Sequence, residues 1–296
     1  MTKRTKYQPI SGPLKFHGGK GYLAGEIVKL FPPRCKNPNK PADDDAGWLH
    51  YCEPYFGGGS VLLANAPEGI SEIANDLSGN LINLWQVLAD PPMFDKLRRH
   101  LEATPFSEDA YRGAVAKVGS GEAVENAWAF FIACRQSLAG RMNGFTGITK
   151  TRTRRGMNNE VSAWLSAIEG LPQVHERMKR VLIVNRPALE IITKHDGPQT
   201  LYYLDPPYLH ETRSTTGEYG EHEMSHDDHV ALLNTLGGIK GRFLLSGYRS
   251  DLYDSFADFC GWRRVEFDIA NHAAGGKSKE RKTECVWINF NAETAI

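Results

Sequence analysis

Apolar runs that stop abruptly, separated by stretches with helical spacing, set the outline of this chain. Leu201-Tyr202-Tyr203-Leu204 is four apolar or aromatic residues in a row, cut off by Asp205 and two prolines. Such a run reads as a buried strand that ends where the chain must turn. Further strands are predicted at Trp48 to Cys52, Glu72 to Asp76, Val181 to Asn185 and Phe243 to Ser246. Arg263 to Ile269 and Thr283 to Phe290 predict a terminal antiparallel pair joined by a basic loop at 277 to 282. Helices are predicted over Tyr22 to Phe31, ended by Pro32-Pro33, and over Leu77 to Leu88, with Leu77, Leu81, Leu84, Trp85 and Leu88 on one face and a stop at Pro91-Pro92. From Met93 to about Leu138 the spacing is helical with no β-alternation. Two more helices follow, Pro187 to Lys194 with proline at its start, and one opened by Ser225 and closed by Gly237-Gly238.

Strands alternating with helices predict an α/β fold, and the long helical interval reads as an insertion separate from the sheet. The expected organisation is a first core part over residues 1–90, an inserted recognition domain over 91–175 and a second core part over 176–296. A length of 296 residues accommodates one large domain with such an insertion.

Composition changes this picture little. With 41% hydrophobic and 24% charged residues the chain is globular. The basic start Met1-Thr2-Lys3-Arg4 is followed by no apolar run, and no stretch approaches membrane-spanning length, so a cytoplasmic protein is expected. The five cysteines form no Cys-x-x-Cys pair, which suits reduced thiols, and Cys52 and Cys285 are expected in the core.

Charge matters through its distribution, since the formal net charge is zero. Between Cys134 and Asn159 stand six basic residues, Arg135, Arg141, Lys150, Arg152, Arg154 and Arg155, and no acid. A second cluster holds Lys277, Lys279, Arg281 and Lys282. Both suit phosphate contacts, although a solvated basic loop has the same composition. Arg141 and Asn143 are of the types that read guanine and adenine edges.

The end of the 201–204 run is the candidate reaction site. In an open α/β sheet ligands gather outside the carboxyl ends of strands. Asp205 and the Pro206 carbonyl can each accept a hydrogen bond from an exocyclic NH2, and Tyr208 can stack on the ring that bears it. Read alone, Asp205-Pro206-Pro207-Tyr208 could equally be a turn after a strand. Glu53-Pro54-Tyr55-Phe56-Gly57-Gly58-Gly59-Ser60 is a second strand–turn–helix junction, of the kind that brings backbone N–H groups close to a cofactor. It lacks Gly-x-Gly-x-x-Gly, which disfavours a dinucleotide site. Asp76, seventeen residues beyond Gly59, can accept both hydroxyls of a ribose or cap the helix that follows, or do both. His222, His226 and His229, beside Asp227 and Asp228, have spacings that could gather a metal. Ser225 followed by Asp228 reads instead as a capping box that leaves His222 outside the helix, and no metal is expected.

Taken together, these motifs resemble the S-adenosylmethionine-dependent DNA amino-methyltransferases, specifically the Dam-like, D12-class adenine-N6 group of alpha arrangement. The likeness rests on Lys15-Phe16-His17-Gly18-Gly19-Lys20, on the segment from Glu53 to Ser60 and on Asp205 to Tyr208, in this order and with the insertion between the last two. It implies a Rossmann-like methyltransferase core, mostly parallel with an antiparallel carboxyl-terminal pair, and a DNA-recognition insertion. It implies S-adenosylmethionine as cofactor, held by Phe16, Lys20, Glu53, Pro54, Phe56, Gly57, Gly59, Ser60, Asp76, Asn185 and Asp205. Asp205, Pro206, Pro207 and Tyr208 are implied as catalytic, with Lys15 facing double-stranded DNA alongside Arg141, Asn143, Lys150, Arg152, Arg154, Arg155, Lys277, Lys279 and Arg281. Relatives often carry an acid where Pro187 stands, and the recognition interval departs from the pattern that reads GATC. Cytosine-N4 methylation uses the same geometry, though usually with Ser at the position of Asp205. An inactive DNA-binding homologue is the non-enzyme alternative, against which intact Asp205 and Tyr208 argue. Cytosine-C5 chemistry is disfavoured, because no cysteine adjoins a proline as that nucleophile requires.

Overall fold

A computed structural model describes residues 7–16, 18–35, 47–146, 152–212, 222–270 and 281–291. In chain order the elements are α1 (Ala24–Lys29), β1 (His50–Glu53), α2 (Ser60–Ala64), β2 (Ser71–Asn75), α3 (Gly79–Ala89), α4 (Pro91–Glu102), α5 (Glu108–Val115), α6 (Ala123–Arg135), β3 (Thr153–Arg154), β4 (Met157–Asn158) and α7 (Asn159–Met178). They continue with β5 (Leu182–Val184), α8 (Ala188–Lys194), β6 (Thr200–Leu204), α9 (His226–Gly238), β7 (Arg242–Gly247), α10 (Asp251–Cys260), β8 (Arg263–Ala270) and β9 (Arg281–Ile288). Two compact units divide them. The first comprises Met1–Lys29, Gly57–Glu68 and Ser78–Asn185; the second comprises Leu30–Phe56, Gly69–Leu77 and Arg186–Ile296.

The second unit is built on a sheet in the order β2-β1-β6-β7-β9-β8. Its first four strands are mutually parallel, and β9 runs antiparallel to both β7 and β8. This is the mixed, mainly parallel architecture that the sequence predicts, with the antiparallel pair at the carboxyl terminus. Every residue of β6 is buried, as expected for a strand flanked on both sides and covered on both faces. Cys52 and Cys285 are fully buried in β1 and β9.

Helices make up most of the first unit. Asp90 caps α4 by accepting from the Met93 amide, with Pro91 and Pro92 in the first turn where a missing N–H costs nothing. Trp85, Phe131 and Trp164, from α3, α6 and α7, are each buried, with the Phe131 and Trp164 ring centroids 5.8 Å apart, and Phe94 stacks on His175 with centroids 4.2 Å apart. Strands β3 and β4 pair with each other as a short hairpin, turned by Arg155 and Gly156, both at positive φ.

Three local expectations need correction. The helix expected over Leu77 to Leu88 begins at Gly79, with Ser78 at its N-cap position, so Asp76 is not its cap and Leu77 is 54% exposed rather than on the buried face. Three residues, Asp76 to Ser78, are used in turning from β2 into α3. Gly237 and Gly238 form the last turn of α9 rather than closing it. The first helix is shorter than the Tyr22 to Phe31 pattern, running only from Ala24 to Lys29.

Candidate active site

Parallel pairing brings the carboxyl ends of β2, β1 and β6 to one edge of the second unit's sheet. Each delivers a carboxylate there: Glu53 ends β1, Asp76 follows β2 and Asp205 follows β6. The backbone alone thus collects three acids that lie far apart in sequence. Glu53 is buried and accepts a hydrogen bond from the Tyr51 hydroxyl at 2.7 Å. Burial, and secondarily the Glu53 charge, push the Tyr51 phenol well above its ordinary value, so it stays protonated as a donor.

Asn75, fully buried beside Asp76, ties this edge together. Its amide nitrogen donates to the carbonyls of Pro54 at 2.9 Å and Arg186 at 3.0 Å, and its side-chain oxygen accepts from the Arg186 amide at 2.9 Å. Its own backbone carbonyl accepts from the Phe56 amide at 2.8 Å. One side chain therefore fixes the turn after β1, the exit of β2 and the entry to α8.

Asp205 stands past the last paired residue of β6 and is followed by the rigid Pro206-Pro207. Tyr208 is nearly buried. Its hydroxyl donates to the carboxylate of Glu284, with Asp205 Oδ1 at 3.2 Å as a second acceptor. Burial first, then the neighbouring Asp205 and Glu284 charges, raise the Tyr208 phenol far above its ordinary value. Tyr248 meets the Tyr208 ring edge-on at 4.8 Å, and beneath them the Tyr203 and Ser246 hydroxyls are 2.9 Å apart.

The first unit carries the other motifs. Gly57 and Gly59 have positive φ values of 51° and 67°, and the chain enters α2 directly at Ser60. Phe16 lies over this turn, so that a Cβ at Gly58 would stand 3.2 Å from the Phe16 Cβ and one at Gly57 would stand 3.4 Å from the ring. Lys20 is buried and donates to the Gly18 carbonyl at 3.0 Å. Lys15 is ion-paired with Glu160 at the start of α7. Partial burial pushes the Glu160 carboxyl up, but hydrogen bonds from Lys15 and Asn159 and the charges of Lys15 and Arg135 outweigh it and hold the group below its usual range. Burial lowers Arg135 to about 10, which leaves it charged at neutral pH. Its guanidinium donates to the Ala163 carbonyl at 2.6 Å. Gly140, at φ 74°, passes so close that a Cβ there would lie 2.0 Å from the Lys15 carbonyl oxygen.

Among the expected DNA contacts, Arg141, Asn143, Arg152 and Arg154 are exposed. Arg155 is exposed but forms a two-pronged ion pair with Glu169 of α7, at 2.9 and 3.0 Å. Lys150, Lys277 and Lys279 lie outside the described residues, as does the side chain of Arg281. Asn185 is exposed after β5. The Ser225–Asp228 capping box is present as expected, and the His229 ring is buried 2.9 Å from the Tyr253 hydroxyl. No group of three or more His, Cys, Asp or Glu side chains suited to an ion occurs among the described residues. No helix among them is long and apolar enough to cross a membrane.

Asn75, Glu160 and Glu284 were not singled out by the sequence. Asn75 had a local signal, its place between a strand and Asp76. Glu160 and Glu284 had none, because their partners are 145 and 76 residues away.

Comparison with known proteins agrees with this geometry. The chain is 23% identical over 290 residues to the Type II methyltransferase M1.LlaDCHI of Lactococcus lactis subsp. cremoris, covering 93% of this chain and 94% of that protein. The family model of the D12 class N6 adenine-specific DNA methyltransferases matches residues 16–266, most of the chain. The chain belongs to the D12 class of N6 adenine-specific DNA methyltransferases.

Proposed function

We propose that this protein transfers the methyl group of S-adenosylmethionine directly to the amino nitrogen of an adenine displaced from double-stranded DNA. The observation that carries the reading is Asp205, held by two prolines at the open end of a buried parallel strand, with Tyr208 braced behind it. Adenine's amine is a weak nucleophile because its lone pair is delocalised into the ring, and it cannot meet an electrophile while stacked in a duplex. Asp205 and the Pro206 carbonyl accept the two amino hydrogens and offset the positive charge that develops on nitrogen. Tyr208 aligns the base, and Pro207 keeps the chain from relaxing away from it.

The cofactor, when bound, supplies an electrophilic methyl on a sulfonium. The residues fit it in kind. Asp76 is suited to ribose hydroxyls and Glu53 to the amino-acid end. Gly57 and Gly58 pack against Phe16, and this ring together with the bare backbone of the turn through Gly59 is proposed to meet the cofactor. Pro54, Phe56, Ser60, Lys20 and Asn185 complete the proposed set. On the DNA side, exposed Arg141 and Asn143 are proposed as base readers and Arg152 and Arg154 as phosphate contacts, with Lys15 and Arg155 reaching DNA only by leaving Glu160 and Glu169.

The test is transfer of labelled methyl to unmethylated double-stranded DNA, followed by nucleoside mass spectrometry. N6-methyladenine from the wild type is expected, with Asp205→Ala lowering the rate on the order of a hundredfold to a thousandfold while leaving DNA binding intact. N4-methylcytosine as the product would move the reading to cytosine, and DNA binding with no methylated nucleoside would replace it with a binding protein.

A further inference from the structure

We infer that Glu169 is a specificity-determining residue that limits non-specific DNA binding: it clasps Arg155 at the tip of the β3–β4 hairpin, so that a phosphate reaches that guanidinium only by displacing the carboxylate. This rests on the function proposed above. Between Cys134 and Asn159 the chain holds six basic residues and no acid, so a carboxylate that meets this run comes from outside it. Helix α7 supplies it. Arg155 donates to both oxygens of Glu169, at 2.9 and 3.0 Å, and to the Ser166 hydroxyl at 3.2 Å, three residues earlier on the same helix face. Arg152 and Arg154, exposed on the same hairpin, meet no acid among the described residues.

The hairpin turn does not itself require an arginine. Arg155 and Gly156 are both at positive φ, 56° and 74°, a tight-turn pattern that Asn, Asp and Gly adopt most readily. A long side chain at such a φ strains the backbone, and what the chain gains is reach to α7. Strand β4 runs straight into that helix, with Asn158 accepting from the Glu160 amide at 2.8 Å. The chain therefore doubles back, and the hairpin tip comes beside Ser166 and Glu169.

The clasp is exchangeable because it is open to water. The side chains of Arg155 and Glu169 are 45% and 57% exposed, and an exposed ion pair adds little to stability. A phosphate offers the guanidinium the same two-oxygen geometry as the carboxylate. The other DNA-facing basic residue held by α7 contrasts with it: the side chains of Lys15 and Glu160 are only 30% and 15% exposed, and Asn159 also donates to Glu160. That pair is an anchor, whereas Arg155 is held in reserve. DNA that touches the protein through phosphates alone must compete with Glu169, while a duplex seated by base contacts brings its phosphate to the hairpin tip.

The experiment measures binding of wild type, Glu169→Gln, Glu169→Ala, Arg155→Ala and the Arg155→Ala/Glu169→Gln double variant to random-sequence double-stranded DNA by fluorescence anisotropy, over a series of salt concentrations. Each Glu169 variant is expected to bind on the order of threefold to tenfold more tightly at low salt. The slope of log affinity against log salt should steepen by about one, as one further phosphate contact requires. The double variant is expected to bind no more tightly than Arg155→Ala alone, because the gain runs through the guanidinium.

Unchanged or weaker binding in both Glu169 variants, the result if the ion pair only braces the hairpin, overturns the inference. So does a gain that survives Arg155→Ala, which would place the effect in the Glu169 charge itself. Because the readout is binding, absence of methyl transfer by the wild type would sink the functional reading and leave this result standing, whereas absence of DNA binding by the wild type would sink both.

Discussion

The edge of the parallel sheet in the second unit and the opening-motif region of the first are both built around short, chemically suggestive sequences, yet they are held in opposite ways. At the sheet edge, Glu53, Asp76 and Asp205 arrive because three neighbouring strands run the same way and stop at the same side. Backbone ladders do the gathering, and side chains such as Asn75 and Glu284 then lock it. In the first unit Lys15 and Phe16 sit in no regular element. They are fixed by single contacts to distant segments: Glu160 on α7, the glycine turn at Gly57 and Gly58, and Gly140. The lesson is that similar motifs differ in what would dislodge them. The sheet edge depends on buried hydrogen bonds, and the opening motif on shape and charge.

The contrast predicts a ranking. Gly140→Ala should have the largest effect on stability, because it combines a left-handed φ of 74° with a Cβ 2.0 Å from the Lys15 carbonyl oxygen. A loss of roughly 2–5 kcal/mol is expected by urea denaturation. Wild-type stability in that variant would mean that the opening motif yields easily, and the distinction drawn above would collapse.

Asn75→Ala should follow. It leaves the Pro54 and Arg186 carbonyls and the Arg186 amide without their side-chain partner, at a cost of about 2–4 kcal/mol. Because that amide also sets the turn carrying Asp76, affinity for S-adenosylmethionine should fall along with stability. A stability loss with cofactor affinity intact would confine Asn75 to folding.

Glu160→Gln should be the mildest and the most dependent on pH. The folded-state carboxyl is held below its ordinary 4.5, so its contribution is present above that value and lost as pH falls through the folded-state value. The difference in Tm between wild type and variant is therefore expected at pH 7 and should shrink progressively below about pH 4.5. A difference that persisted unchanged into acid would show that the pair's charge is not what anchors Lys15.

Much of this was legible in the chain itself. The run Leu201 to Leu204 could be read as a fully buried strand because it has no polar alternation, and its end at Asp205 because two prolines follow. The Ser225–Asp228 box could be read because capping is settled by hydrogen bonds within four consecutive residues. Of the two roles open to Asp76, ribose acceptor and helix cap, the second goes to Ser78, because the turn from β2 into α3 is longer than the local pattern suggests.

What the sequence determined by itself was periodicity and punctuation, and with them the strands, most helices, the order of motifs and the identity of Asp205 and Tyr208 as candidate chemistry. Only the tertiary structure decided which side chains stand behind that chemistry. Glu284 lies 76 residues from Tyr208 and Glu160 lies 145 from Lys15, and nothing in either local pattern marks the pair. The physical reason is that helix and strand signals come from neighbours along the chain, whereas hydrogen bonds and ion pairs act over a few ångströms of space. Sheet register and helix packing, which bring such residues together, depend on the whole chain at once.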